Sequence, residues 1–68
     1  MNPGKLFTAL KLAQSIAEEH GDPNWFREHY TLLRENHGIL ESCELALEQQ
    51  GLLQMFTQLR IDNESTDA

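Results

Sequence analysis

Three histidines, one cysteine and eleven acidic side chains are the groups in this 68-residue chain that could do chemistry. Metal binding is the first chemistry they suggest. His37 and Glu41 are four residues apart, a spacing that shares one helix face, but Gly38 lies between them and favours a break. His29 and His37 are eight apart in a segment that should end at the second of them. Cys43 has no Cys-x-x-Cys partner. A structural zinc site wants four ligands at recognisable spacings, and the sequence contains no such set. No metal ligand is expected.

General-base catalysis by His29 would need a nucleophile or an orienting acid, and a pocket around it. A chain this short leaves little volume for a pocket of several hundred cubic ångströms. His29 falls in the middle of an apolar face made by Trp25, Phe26, Leu32 and Leu33. The expectation is a neutral, largely buried imidazole with a hydrogen-bond acceptor, and the alternative is a contact with another chain. Cys43 falls on an inward stripe, where a thiol behaves as a small hydrophobe. Glu41 and Glu44 nearby would raise its pKa and lower its reactivity. No catalytic residue, cofactor or small-molecule substrate is expected, and the chain is not expected to be an enzyme.

Glu41, Glu44 and Glu48 recur at helical spacing as an acidic stripe. The ordinary meaning is a solvated helix face; the functional alternative is a docking strip for a basic partner. Inhibitors that mimic DNA carry denser acid runs than these. A helix-turn-helix is the other alternative, with a tight Gly21-Asp22-Pro23 joint and Asn24, Arg27 and Arg34 as contacts. That joint is shorter than the usual three to four residues. The basic residues are scattered, so DNA binding stands second and nucleic acid is not the expected partner.

The elements that must position these groups are helices. Leucine is the commonest residue, at eleven, against three isoleucines and no valine. Leucine, glutamate, glutamine and alanine favour helix, and strands want β-branched residues. The first helix should run from Pro3 to His20, capped by Asn2, with Pro3 suited to its first position. Leu6, Ala9, Leu10, Ala13, Ile16 and Ala17 make a stripe of roughly 120°, and its three alanines admit a close neighbour. Gly21 should end the helix in the left-handed conformation. The second helix should start at Pro23 behind an Asp22 cap and end near Asn36 or His37. Trp25, Phe26, His29, Tyr30, Leu32 and Leu33 give it a broad apolar face of roughly 160°, which should anchor the core.

A third segment begins at Ile39, with Ile39, Leu40, Cys43, Ala46, Leu47 and Gln50 on one face. After Gly51 the apolar phase changes. If the helix ran straight, Leu52, Phe56 and Leu59, with Met55 beside them, would project about 180° from the earlier stripe. Either Gly51 breaks the segment, the favoured expectation because an interior glycine costs about 1 kcal/mol against alanine, or one long helix buries different faces in its two halves. The acidic stretch Asp62–Ala68 has no apolar anchor and should be a frayed tail, leaving 1–61 as a single domain.

The expected fold is all-α, a small bundle of three to four helices. Composition excludes several classes: 40% of residues are apolar, 24% are charged and the formal charge is -6. Gly and Pro are too few for a collagen or a disordered chain. No run approaches the roughly 18 apolar residues of a membrane span. One cysteine cannot build a disulfide framework. The N-terminal stretch lacks the unbroken apolar core of a signal peptide, and the lone thiol fits a reducing compartment, so a cytoplasmic protein is expected.

Below about 70–80 residues one core rarely supplies more than about 3–5 kcal/mol, and small chains compensate with staples or association. Leu45, Leu52 and Leu59 are spaced by seven, with Gln49 and Phe56 at the alternate heptad positions. The sequence therefore points to Leu45, Gln49, Leu52, Met55, Phe56 and Leu59 as a partner-binding seam. The expected function is a non-enzymatic protein–protein interaction module, with a protein partner that is most simply a second copy of itself. In size and charge it is similar to small accessory proteins such as antitoxins and secretion chaperones, a likeness of composition that points to no family.

Overall fold

The computed structural model describes residues 3–65, apart from the side chains of Pro3, Lys5, Glu64 and Ser65. Four helices follow one another: α1 Pro3–His20, α2 Pro23–Leu33, α3 Ile39–Gln49 and α4 Leu53–Ser65. The chain is an all-α bundle, and no strand occurs among the described residues. No helix of those residues is long and apolar enough to cross a membrane. The expected Asn2 cap lies outside the described residues. α4 runs through Asp62–Ser65, so helix continues four residues past the boundary expected at 61. Residues 66–68 of the expected tail lie outside the description.

α1 and α3 are the central pair, each packed against all three other helices. α2 and α4 flank them and make no contact with each other among the described residues. Small side chains make the central contact possible. Ala13 and Ala17 of α1 and Cys43 and Ala46 of α3 have no exposed surface, so the two backbones can come close. Around them pack Ala9, Ile16, Phe26, Leu47, Leu52 and Phe56.

The break expected at Gly51 is present, and its geometry is a Schellman cap. The Leu52 N–H donates to the Leu47 carbonyl at 2.9 Å and the Gly51 N–H to the Glu48 carbonyl at 3.0 Å. Gly51 takes φ 73°, the left-handed region that costs a glycine least. The chain then reverses, and Phe56 is carried back into its own bundle, fully buried. The 180° phase change holds only for a straight helix. Once α3 and α4 fold back on each other, the two apolar stripes face one core.

Gly21 behaves otherwise than expected. It is not left-handed; Gly51 is the one described residue with positive φ. What Gly21 provides is room. A Cβ there would overlap Gln50 Oε1 and stand 2.9 Å from Leu52 Cδ1. Gln50 Oε1 accepts the Asp22 N–H at 2.7 Å, and Gln50 Nε2 reaches the Asp22 carbonyl at 3.4 Å. One side-chain amide thus ties the α1–α2 joint to the α3–α4 joint.

The core is not anchored where the aromatic content suggested. On α2 only Phe26 is buried; Trp25, His29, Tyr30 and Leu33 are half-buried and Leu32 is 60% exposed. The largest fully buried side chains are Phe56 and Leu47. A flanking helix touches the central pair along one side, and a face of roughly 160° is wider than that contact can cover. Ser42 is also fully buried, and its hydroxyl has no hydrogen-bond partner among the described residues. An unmet buried hydroxyl costs about 1–3 kcal/mol.

Candidate functional site

The groove between α2 and α3 holds Leu32, the most exposed of the large apolar side chains, beside Trp25 and Leu33, which also pack against the core; Phe7, Met55, Leu59 and Ile61 are exposed elsewhere. The groove is about 370 Å³, lined by Trp25, His29, Leu32, Leu33, Asn36 and His37 on one side and by Leu45 and Gln49 on the other.

Local sequence sets its α2 wall. Asp22 caps the helix, its Oδ1 accepting the N–H groups of Asn24 at 3.0 Å and Trp25 at 3.1 Å. That fixes Trp25 at the third helical position, and His29 follows one turn later. Their rings stack with centroids 3.7 Å apart and planes 17° from parallel. His29 Nδ1 lies 2.9 Å from the Trp25 carbonyl oxygen. A carbonyl only accepts, so Nδ1 carries the proton and donates. The expected acceptor is therefore the helix backbone, and the ring is half-buried in a groove wall instead of in the core.

The far end of the groove is closed by the turn after α2. The Glu35 and Asn36 N–H groups donate to the carbonyls three residues back, at 3.2 and 3.1 Å, so the helix tightens and stops at Leu33, earlier than Asn36 or His37. Arg34 donates to the His37 carbonyl at 2.7 Å. His37 Nδ1 donates to Glu41 Oε1 across Gly38, which serves as N-cap of α3. The sequence discounted this pair because Gly38 lies between its members; the two side chains nevertheless meet across the start of α3. Among the described residues no group of three or more His, Cys, Asp or Glu side chains stands together as metal ligands would.

The six residues expected to form one partner seam are divided. Leu52 and Phe56 are buried in their own bundle, at 9% and 0% exposure, and cannot face another chain. Leu45 and Gln49 line the α2/α3 groove. Leu59 lines a different groove between α1 and α4, with Thr8, Lys11 and Leu12. Met55 is exposed on α4. The seam assumed a straight helix through Gly51, and the chain reversal there takes it apart.

Cys43 lies in the core with no exposed surface. Burial pushes its thiol up from 9.0 to about 12, with Glu44 adding to the rise and Arg60 opposing it. The direction is that expected from the acidic neighbours, but desolvation is the larger cause. Of the three side chains weighed for DNA contacts, Arg27 donates to Asn24 Oδ1 at 3.3 Å and Arg34 is turned onto the His37 carbonyl. Arg60 pairs with Glu44 at 3.6 Å, so that member of the acidic stripe is half-buried against α4, and Glu41 and Glu48 are exposed.

The groove was hidden in the sequence because Leu32 and Trp25 read as core. The one signal was the excessive width of the α2 face. Fold and site together define a small four-helix bundle with an apolar surface groove. Comparison with protein-family models, with curated proteins and with solved structures gives no match in any of the three.

Proposed function

We propose that this chain is a non-enzymatic protein-binding module and that the α2/α3 groove is its binding surface. The observation that carries the reading is Leu32, a large apolar side chain 60% exposed on the lip of a groove where Trp25, Leu33 and Leu45 stand among polar lining residues. Exposing such a cluster costs free energy that covering by a partner would recover, at about 25 cal/mol per Å² of apolar surface. Trp25, held by the capped start of α2 and lining the groove, is the kind of aromatic side chain that becomes an interface anchor. The titratable groups support binding over catalysis: His29 is engaged by its own backbone, and the Cys43 thiol is withdrawn into the core. The same reading assigns the module to the cytoplasm, where a lone thiol stays reduced.

The test is a photo-crosslinking amino acid placed at position 32, used in the native host and compared with one at Gln14, on an exposed face of α1. Discrete adducts from position 32 and none from position 14 are expected. Their mass tells a second copy of this chain from a different protein. Absence of adducts from position 32, or equal adducts from both positions, would refute the proposal.

A further inference from the structure

Resting on the reading of the α2/α3 groove as a docking surface, we infer that its occupant is a basic amphipathic helix. Its apolar stripe would sit on Leu32, Leu33 and Leu45, with lysines or arginines along both flanks.

The flanks are set by helical spacing. On the α2 side Glu28 stands four residues before Leu32, and Glu35 three after it. On α3 Glu41 stands four residues before Leu45, and Glu48 three after it. Residues three and four apart are neighbours along one helix ridge. At 100° per residue each glutamate lies about 40–60° from its leucine, turned away from the buried face. All four glutamates are exposed, and Glu41 also accepts from His37 at the groove's end. Glu48 also lines the neighbouring crevice against α4, so it stands on the crest of α3. The apolar groove therefore has an acidic row on either lip.

Apart from Arg34 at one end of the groove, the cations whose side chains are described lie elsewhere. Arg27 lines the crevice between α1 and α2, Lys11 the groove between α1 and α4, and Arg60 pairs with Glu44. Arg34 is bonded to the His37 carbonyl. A positively flanked apolar stripe meets complementary potential here along both sides.

The occupant's shape follows from the walls. The described residues offer no sheet edge for an extended peptide to join, and a groove between two helices suits the helix-in-groove mode. Each wall helix has 11 residues. At 1.5 Å per residue that is about 16 Å, room for roughly three turns and anchors at positions i, i+4 and i+7. The groove ends are fixed, one by the Gln50–Asp22 hydrogen bonds and the other by the turn through Arg34 and His37. A second copy of this chain fits less well, because it would bring another charge of -6 against the same acidic lips.

The probe is a synthetic amphipathic peptide of leucine and lysine at helical spacing. Two companions replace every lysine by glutamine or by glutamate. Trp25, the sole tryptophan, lines the groove and reports occupancy by its fluorescence. The lysine peptide should bind one to one, weaken as salt is raised, and outbind the glutamine peptide; the glutamate peptide should not bind. Leu32→Ser should weaken binding about tenfold with helix content unchanged. Glu28→Gln/Glu48→Gln should weaken it about three- to tenfold at low salt. Glu18→Gln/Glu19→Gln removes the same charge from α1 and should change it by less than about twofold.

Equal binding of the lysine and glutamine peptides, or indifference to Leu32→Ser, overturns the basic-helix inference. So does a crosslinked adduct whose partner is a second copy. If no peptide binds while position 32 still captures another protein, this inference falls and the docking reading stands. If position 32 captures nothing and no peptide binds, both fall.

Discussion

Replacing Gly21 with alanine should loosen the tie between the two joints of the bundle, and the loss should vanish in part when Gln50 is already gone. Gly21 does not need glycine's left-handed freedom, and alanine there would by itself gain about 0.4–1 kcal/mol through the unfolded chain. The steric cost is larger. The new methyl would overlap Gln50 Oε1 and press on Leu52 Cδ1 at 2.9 Å. The amide can swing aside only by giving up the 2.7 Å bond from the Asp22 N–H and the 3.4 Å bond to its carbonyl. The shorter bond is worth about 1 kcal/mol net, and the longer one less. Leu52 is 9% exposed in a packed core, and displacing its methyl adds about 1–3 kcal/mol. After the unfolded-state gain, Gly21→Ala should cost about 1–3 kcal/mol.

Gln50→Ala alone should cost about 1 kcal/mol. In the double variant the bond is lost once instead of twice, so the two effects should fall short of their sum by about 1 kcal/mol. Urea unfolding of the four proteins measures this cycle, and the slopes should stay equal. Gly38→Ala, where nothing lies within 4 Å of the added methyl, is the steric control; the N-cap loss of about 0.5–1 kcal/mol and the unfolded-state gain of about 0.4–1 kcal/mol should nearly cancel. Additivity within about 0.3–0.5 kcal/mol would refute the idea that Gln50 couples the two joints.

Phe56→Ala should cost about 3–5 kcal/mol, as much as a core this small supplies, so circular dichroism should find the variant largely unfolded at room temperature. Trp25→Ala, on the half-buried groove wall, should cost only about 1–2 kcal/mol and leave a cooperative melt; the reverse ranking would put the core on α2. The Cys43 thiol should resist Ellman's reagent at pH 8 until the chain is unfolded in urea, since burial holds it protonated. Its folded pKa of about 12 exceeds the ordinary 9.0, so the unfolded chain ionises first as pH rises. The thiol's contribution is whole below pH 9 and is lost between 9 and 12. From pH 8 to 10.5 the wild type should therefore lose about 2 kcal/mol more than Cys43→Ala, measured by urea midpoints.

Local chemistry was readable along the chain. The span of α1, the Asp22-Pro23 start of α2, the Ile39 start of α3 and the break at Gly51 all depend on residues within a turn of one another. Caps, proline at the first helical position and a left-handed glycine act through the backbone of their neighbours, so sequence order alone specifies them. Side-chain spacing likewise marked Cys43, Ala46 and Leu47 as inward on α3, although Ser42, equally buried, was not on the expected face and Ile39, Leu40 and Gln50 are half-buried.

Direction after the break was another matter. A helical wheel assumes one axis, and at Gly51 the axis reverses, so Leu52 and Phe56 went to the core, Leu45 and Gln49 to one groove and Leu59 to another. The space reserved at Gly21 was equally hidden, because its cause is Gln50, which approaches only when the α1–α2 and α3–α4 joints meet. Trp25 and Leu32 carried the sequence signature of core and became groove wall and lip. Their burial depends on how many helices reach α2, and α4 does not. A periodic pattern says which side chains share a face; only the packing of the other helices decides how much of that face is covered.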